Sequence, residues 1–229
     1  GLSVPLAPGI PSRVAEDVLV LEYGSPRALE LLHAHANELA AVLVEPVQSR
    51  HPELQPREFL HELRAWTRAA GVVLIFDEMV TGFRVHPGGA QAWFGVAADL
   101  ATYGKIAGGG LPIGIVAGRA PFMDGIDGGL WEYGDTSYPR AETTYFGGTF
   151  CQHPLAMASA RSVLAHLKER GPSMQMELNE RTSRLAAMLN EHFAHEEMPL
   201  RIAHFGSLFR FNYTGNMDLL FYHLLTKGV

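Results

Sequence analysis

The chain has 229 residues, 47% of them hydrophobic and 18% charged, with a net charge of -6. That is the composition of a globular protein with one large domain or one and a half, and the acidic balance with no basic run argues against a nucleic-acid partner. Cys151 is the only cysteine, which excludes an internal disulfide framework and a thiolate zinc site and fits a reducing, cytoplasmic setting.

Residues 1–16 are rich in proline and glycine and read as an extended connector without the basic start and continuous apolar run of a signal peptide. The chain starts at Gly1 and stops just after an apparent helix, so it reads as a piece of a longer one. Val18 to Glu22 is a short apolar run that predicts a strand. Pro26 to Leu39 has leucines at 29, 31, 32 and 39 and predicts a helix. Ala40 to Val44 predicts a buried strand that ends in Glu45-Pro46. From Pro56, well suited to a first helical position, a helix is expected to run to Ala70, with Gly71 as its stop. Val72 to Phe76 predicts a second buried strand, closed by Asp77-Glu78. Strand, helix and strand in this order, with runs apolar on both faces, imply a parallel sheet covered by helices.

Leu100 to Tyr103 is a third short run, followed by Lys105 and the Gly108-Gly109-Gly110 turn, and Ile113 to Ala117 returns as a strand. Residues 124–148 are loop-like, with six glycines, three tyrosines and one tryptophan. Pro154 opens a long helix that Gly171 closes, and Met174 to His195 is a second amphipathic helix. Leu200 to His204 and Ser207 to Phe211 predict two strands, and Met217 to Thr226 a last helix. A domain boundary is expected near 171–196. No uninterrupted apolar segment is long enough to cross a bilayer.

The candidate chemistry centres on Lys105. Only three lysines stand against fifteen arginines, and this one is set among glycines and apolar residues. A lysine held in so apolar a stretch is costly to keep as a cation, and a neutral amine is a nucleophile able to form a Schiff base. In open parallel sheets ligand groups gather beyond the carboxyl ends of the strands. Glu45, Asp77 and Lys105 all fall there. Asp77 reads equally as a cap on the next turn or as the partner of a protonated heterocyclic nitrogen, as pyridoxal phosphate requires. Thr149, in a glycine turn before the helix opened by Pro154, reads as a loop threonine or a phosphate contact. Glu45 could contact a cofactor or hold a structural partner. Met79 reads as core, or as a side chain against a cofactor face. Glu78 and Arg84 are expected to pair or to shape the turn. The glycine run at 108–110 lacks the ending of a nucleotide P-loop, and the paired histidines at 33/35 and 192/195 lack the carboxylates of a metal site.

Four stretches together resemble one family: LVEPVQ at 43–48, LIFDEMVTGFR at 74–84, ATYGKIAGGGLPIG at 101–114 and FGGTFCQHPLAM at 146–157. They are similar to the class III, pyridoxal-phosphate-dependent aminotransferases of fold type I. The match to the glutamate-1-semialdehyde aminomutase branch is closer than to the ornithine branch. Residues 47–64 and 86–95, and the run from DGG to ETTYFGGTFCQHPLA, look in particular like the aminotransferase domains of hybrid polyketide and non-ribosomal peptide synthases.

The resemblance implies an α/β fold: part of the large domain over 1–175, with a mixed, mostly parallel sheet and helices on both faces, then the start of a small α+β C-terminal domain over 176–229. It implies that Lys105 carries the cofactor as a Schiff base and moves protons, that Asp77 pairs with the pyridine nitrogen, that Met79 lies under the ring and that Glu45 belongs to the family's Glu-Pro pair. It implies that Thr149 binds the phosphate of a neighbouring subunit's cofactor, hence a homodimer. An amino-acid donor and a keto acyl substrate on a carrier protein would be the partners. A free-standing aminomutase is the alternative within the family, and a truncated scaffold or dimerisation unit the alternative outside it. Val80 and Ser49-Arg50 depart from the ornithine branch, and the family's N-terminal phosphate turn and ring-stacking aromatic have no counterpart in these residues.

Overall fold

The computed structural model describes residues 3–217 and 219–229. In chain order the elements are α1 (Ser12–Glu16), α2 (Pro26–Ala34), β1 (Ala41–Val44), α3 (Arg57–Ala70), β2 (Val73–Asp77), α4 (Gly89–Phe94), β3 (Leu100–Tyr103), a 3-10 turn (Lys105–Gly108), β4 (Ile115–Gly118), α5 (Ala120–Asp127), α6 (Pro154–Arg170), α7 (Ser173–His195), β5 (Leu200–Phe205), β6 (Leu208–Tyr213) and α8 (Leu220–Thr226). The start of the helix expected over 217–226 includes residue 218, which lies outside the described residues.

The larger sheet has the order β1-β2-β3-β4. The first three strands are parallel, with Val44 beside Phe76 and Asp77 beside Thr102; β4 runs antiparallel to β3. Alternation along β2 puts Leu74 and Phe76 on one face, both fully buried. Leu60, Leu63 and Trp66 of α3, at successive intervals of three residues, cover that face, so one stripe of the helix meets the sheet. Each fully buried leucine or phenylalanine here contributes on the order of 1.5–3 kcal/mol. Gly71, in the left-handed region, ends α3 as its sequence position suggests. Asp77 and Thr102 share the opposite face with Ile75 and Leu43, and there Leu43 is 66% exposed.

Asp99 pins the start of β3. Its carboxylate accepts hydrogen bonds from Leu74 N–H, Arg64 and Arg119, each at 2.9 Å. Burial alone would raise its carboxyl, but the Leu74, Arg119 and Arg64 contacts outweigh this and hold it below the usual carboxylate range.

The smaller sheet is the antiparallel pair β5-β6, packed on α7 through Ala186, Phe193 and Ile202. Asn190 of α7 bonds both the N–H and the carbonyl of Ile202. Phe205, at the end of β5, inserts into the core of the larger sheet and stacks on Phe94 at 5.7 Å. Gln175 and Asn179 of α7 donate to the carbonyls of Phe83 and Val85. The position 175/176 thus falls inside the first turns of α7, where that helix grips the segment after β2.

Several expectations change. Val18 to Glu22 is not a strand: these residues make no ladder and line a groove beside β1. Residues 12–16 of the expected connector are helical, α2 ends five residues early at Ala34, and α5 takes the start of the expected loop. The short α4 between β2 and β3 was not foreseen.

Candidate active site

Asp77 is the last residue of β2. Its Oδ1 accepts from Met79 N–H at 2.9 Å and from the Thr102 hydroxyl at 3.3 Å. Oδ2 takes no hydrogen bond among the described residues. The strand register puts Glu45 one place beyond the Val44–Phe76 pair, level with Asp77, which is itself level with Thr102. Three polar side chains therefore stand in a row at the carboxyl ends of three parallel strands, the edge where such sheets bind ligands.

Lys105 opens the 3-10 turn two residues past β3. Its φ of 45° lies in the left-handed region, which a residue with a Cβ adopts at a cost of about 1–2 kcal/mol. The expectation of a lysine held within apolar surroundings is corrected here. Gly104, Ala107 and Gly108 are buried, but Lys105 is exposed. The tight turn breaks the strand's alternation, so its neighbours pack inward while the lysine faces out. Ser159 of α6 donates to the Gly108 carbonyl at 2.8 Å and buttresses the turn from behind. A Cβ at Gly109 would lie 2.6 Å from Ser159 Oγ and from Val163, so this glycine allows close approach of the helix.

Met79 links the two strand ends. Its thioether lies against Gly104: a Cβ there would come within 2.4 Å of Met79 Cε and 3.0 Å of Sδ. The residue two past Asp77 therefore packs on the residue before Lys105. Glu45 has a structural partner, accepting from Ser49 N–H at 2.9 Å. Tyr23 lies nearby and donates to the Pro46 carbonyl at 2.6 Å; burial first, and the Glu45 charge second, push its phenol up. Thr149 is exposed in a turn closed by Cys151 N–H on the Gly148 carbonyl, and among the described residues no hydrogen bond joins it to Asp77 or Lys105.

One further residue has no signal in the sequence, and another takes the second of its two expected roles. Thr102 carries no motif signal; only the strand register shows it beside Asp77. Glu78 is fully buried and does not pair with Arg84, whose Nε donates to the Val80 carbonyl. It accepts from Thr81 and from the first amides of α4. No group of three or more His, Cys, Asp or Glu residues is placed to hold a metal among the described residues. Nor is any described helix long and apolar enough to cross a membrane.

Set beside known proteins, the chain matches the family model described as Aminotransferase class-III over residues 10–229. A glutamate-1-semialdehyde 2,1-aminomutase of Syntrophus aciditrophicus is 38% identical over 215 residues, which are 93% of this chain and 47% of that protein. A solved transaminase with PLP bound shares the fold with a TM-score of 0.86 at 28% identity, over 100% of this chain and 54% of that one. A β-phenylalanine aminotransferase from Variovorax paradoxus does so with a TM-score of 0.77 at 30% identity, over 92% and 50%. The chain spans about half the length of the curated relatives it matches. With the family model running from residue 10 to the last residue, the chain belongs to the class-III aminotransferases.

Proposed function

We propose that the protein carrying this chain is a pyridoxal-phosphate-dependent aminotransferase, moving an amino group from an amino-acid donor to a carbonyl. The observation that carries this reading is the placement of Asp77 and Lys105 at the ends of adjacent parallel strands, joined through Met79 and Gly104. The donor set fits the cofactor: a carboxylate with one oxygen uncommitted, an accessible amine and a methionine between them. Pyridoxal phosphate, when bound, supplies an electron sink. Asp77 would hold its ring nitrogen protonated. Thr102 and Met79 N–H fix the rotation of that carboxylate by occupying Oδ1, which leaves Oδ2 to accept. Lys105 would anchor the cofactor covalently and, once released, carry a proton to and from the substrate carbon. Met79 would offer an apolar surface to the ring. Glu45 orders the turn after β1 through Ser49. The exposure of Thr149 supports its service to a second copy, and we read the protein as a cytoplasmic homodimer.

For the acceptor we favour a β-keto acyl thioester on a carrier protein, aminated to the β-amino acyl thioester within a polyketide or peptide synthase. The support is the motif likeness at 47–64 and 86–95, and the β-phenylalanine aminotransferase among similar folds bears the name of a β-amino acid. A second reading, glutamate-1-semialdehyde aminomutase, is favoured by the relatives at 38–39% identity that carry that name.

The test uses the scarcity of lysine. After incubation with pyridoxal phosphate and reduction with borohydride, peptide mapping should find the pyridoxyl group on Lys105, and Lys105→Ala should abolish it. The same label on Lys168 or Lys227 in that variant would overturn the assignment, and no label with no visible band would favour a scaffold. Turnover of a β-keto acyl carrier protein, against turnover of the semialdehyde alone, separates the two substrate readings.

A further inference from the structure

We infer that Glu78, Gln91 and Tyr103 form a positioning relay that sets the Lys105 turn relative to Asp77, on the face of the sheet turned away from the site. The inference rests on the reading of Lys105 as the reacting amine, and it concerns residues that do not touch cofactor or substrate.

The relay begins one residue after Asp77. Glu78 N–H continues the ladder to the Thr102 carbonyl at 3.0 Å, and its side chain turns to the opposite face. There the carboxylate is fully buried. Oε2 accepts from the Thr81 hydroxyl at 2.5 Å and from Ala90 N–H at 2.9 Å; Oε1 accepts from Gln91 N–H at 2.9 Å. Gly89, at φ +64°, makes the approach possible, since a Cβ there would lie 2.5 Å from the carboxylate. An acid placed on these amides holds the first turn of α4 against the end of β2.

Gln91 passes the constraint on. Its carbonyl oxygen accepts from Ala98 N–H at 2.9 Å, which fixes the orientation of the amide. Nε2 must then point away, and it donates to the Tyr103 hydroxyl at 3.0 Å. Tyr103 is the last residue of β3, two before Lys105. Its ring lies 5.4 Å from that of Phe83, whose φ of 60° marks a constrained loop. Burial first, and the Glu78 charge second, push the Tyr103 phenol up, and they outweigh the hydrogen bond from Gln91, which acts the other way. A closed circuit results. On one face Asp77 meets Thr102 and Met79 meets Gly104; on the other Glu78 reaches Tyr103 through Gln91. The two strand ends are fixed from both sides, which a reacting amine held at a strained φ requires.

The test compares Tyr103→Phe and Glu78→Gln with wild type in the intact protein. Tyr103→Phe keeps the ring and deletes only the hydroxyl. Hydrogen exchange is followed at the Ala107 amide, bonded to the Gly104 carbonyl inside the Lys105 turn, and at the Leu74 amide, bonded to Asp99 in the same sheet. The relay predicts about fivefold faster exchange at Ala107 in Tyr103→Phe with Leu74 unchanged. It also predicts about tenfold slower borohydride-trapped labelling of Lys105, with a larger loss in Glu78→Gln. Unchanged exchange at Ala107, or equal acceleration at Ala107 and Leu74, would overturn the relay and leave a generally stabilising core network. If Glu78→Gln does not fold, Tyr103→Phe decides alone. If wild type takes no label yet Ala107 responds as stated, the relay stands and the cofactor reading falls.

Discussion

Gly104→Ala is a small change with a calculable effect on the site. The φ of -174° at Gly104 is extended backbone that alanine adopts, so the penalty is steric rather than conformational. The added Cβ would lie 2.4 Å from Met79 Cε, 2.9 Å from the Ile113 carbonyl oxygen and 3.0 Å from Met79 Sδ. Ordinary contact starts near 3.4 Å, so the first overlap is about 1 Å and the second about half that. A methionine can rotate away, but the carbonyl belongs to the backbone entering β4. Overpacking of this kind costs about 1–3 kcal/mol. At about 2–4 °C per kcal/mol for a chain of this size, the melting temperature should fall by several degrees. The Lys105 turn follows directly, so trapping of pyridoxal phosphate at Lys105 should slow by tenfold or more. Met79→Ala removes the two sulfur-side contacts and leaves the carbonyl contact. The double variant should therefore be more stable than the sum of the single losses by about 0.5–1.5 kcal/mol. The assay is a double-mutant cycle by thermal melting, with labelling rates in parallel. Strict additivity, or a Gly104→Ala protein that melts and labels as wild type, would refute the packing argument.

Other outcomes follow from the frame around the site. Asp99→Asn should destabilise by about 2–4 kcal/mol in urea titration, almost all through Arg64 and the Leu74 amide, because Arg119 is 64% exposed and its pair is screened. The folded-state carboxyl of Asp99 is held below its unfolded value, so its contribution is present above about pH 4 and lost as pH falls through the folded value. The urea midpoint of wild type should drop more steeply below pH 4 than that of Asp99→Asn, and parallel curves would contradict the clamp. Asn190→Leu removes both bonds to Ile202 and should cost about 2 kcal/mol, with hydrogen exchange accelerated first along β5.

The sheet was legible where composition and length agreed. Val72 to Phe76 is too short for a helix and too apolar for a loop, and it became β2 shifted by one residue. Val18 to Glu22 has the same local character, yet no neighbouring strand accepts its backbone, and pairing is not a local property. Helix α4 was hidden because its six residues start at a glycine and its leading amides are satisfied by Glu78, more than ten residues earlier. For the same reason the sequence leaves Glu78 either to pair with nearby Arg84 or to shape the turn, and its grip on α4 shows only in the structure. Lys105 was found by its scarcity and its glycine setting, but its exposure depends on a 3-10 turn and a φ of 45° that composition does not encode. Met79 was singled out by its nearness to Asp77 in sequence, and its contact with Gly104 emerged only once the two strand ends were side by side.

The four residues of β3 lie between the ionic clamp at Asp99 and the lysine turn, six steps or about 20 Å of extended chain. This makes the strand a ruler. Inserting or deleting one residue would not merely lengthen or shorten it. With a repeat of two, every side chain beyond the change would swap faces. Thr102 would leave Asp77 and Tyr103 would leave Gln91 in the same event, so the hydroxyl that orients the carboxylate and the phenol behind the lysine would be lost together. The count of residues from 99 to 105 is therefore a property of the site in its own right, less forgiving than the identity of most residues within it.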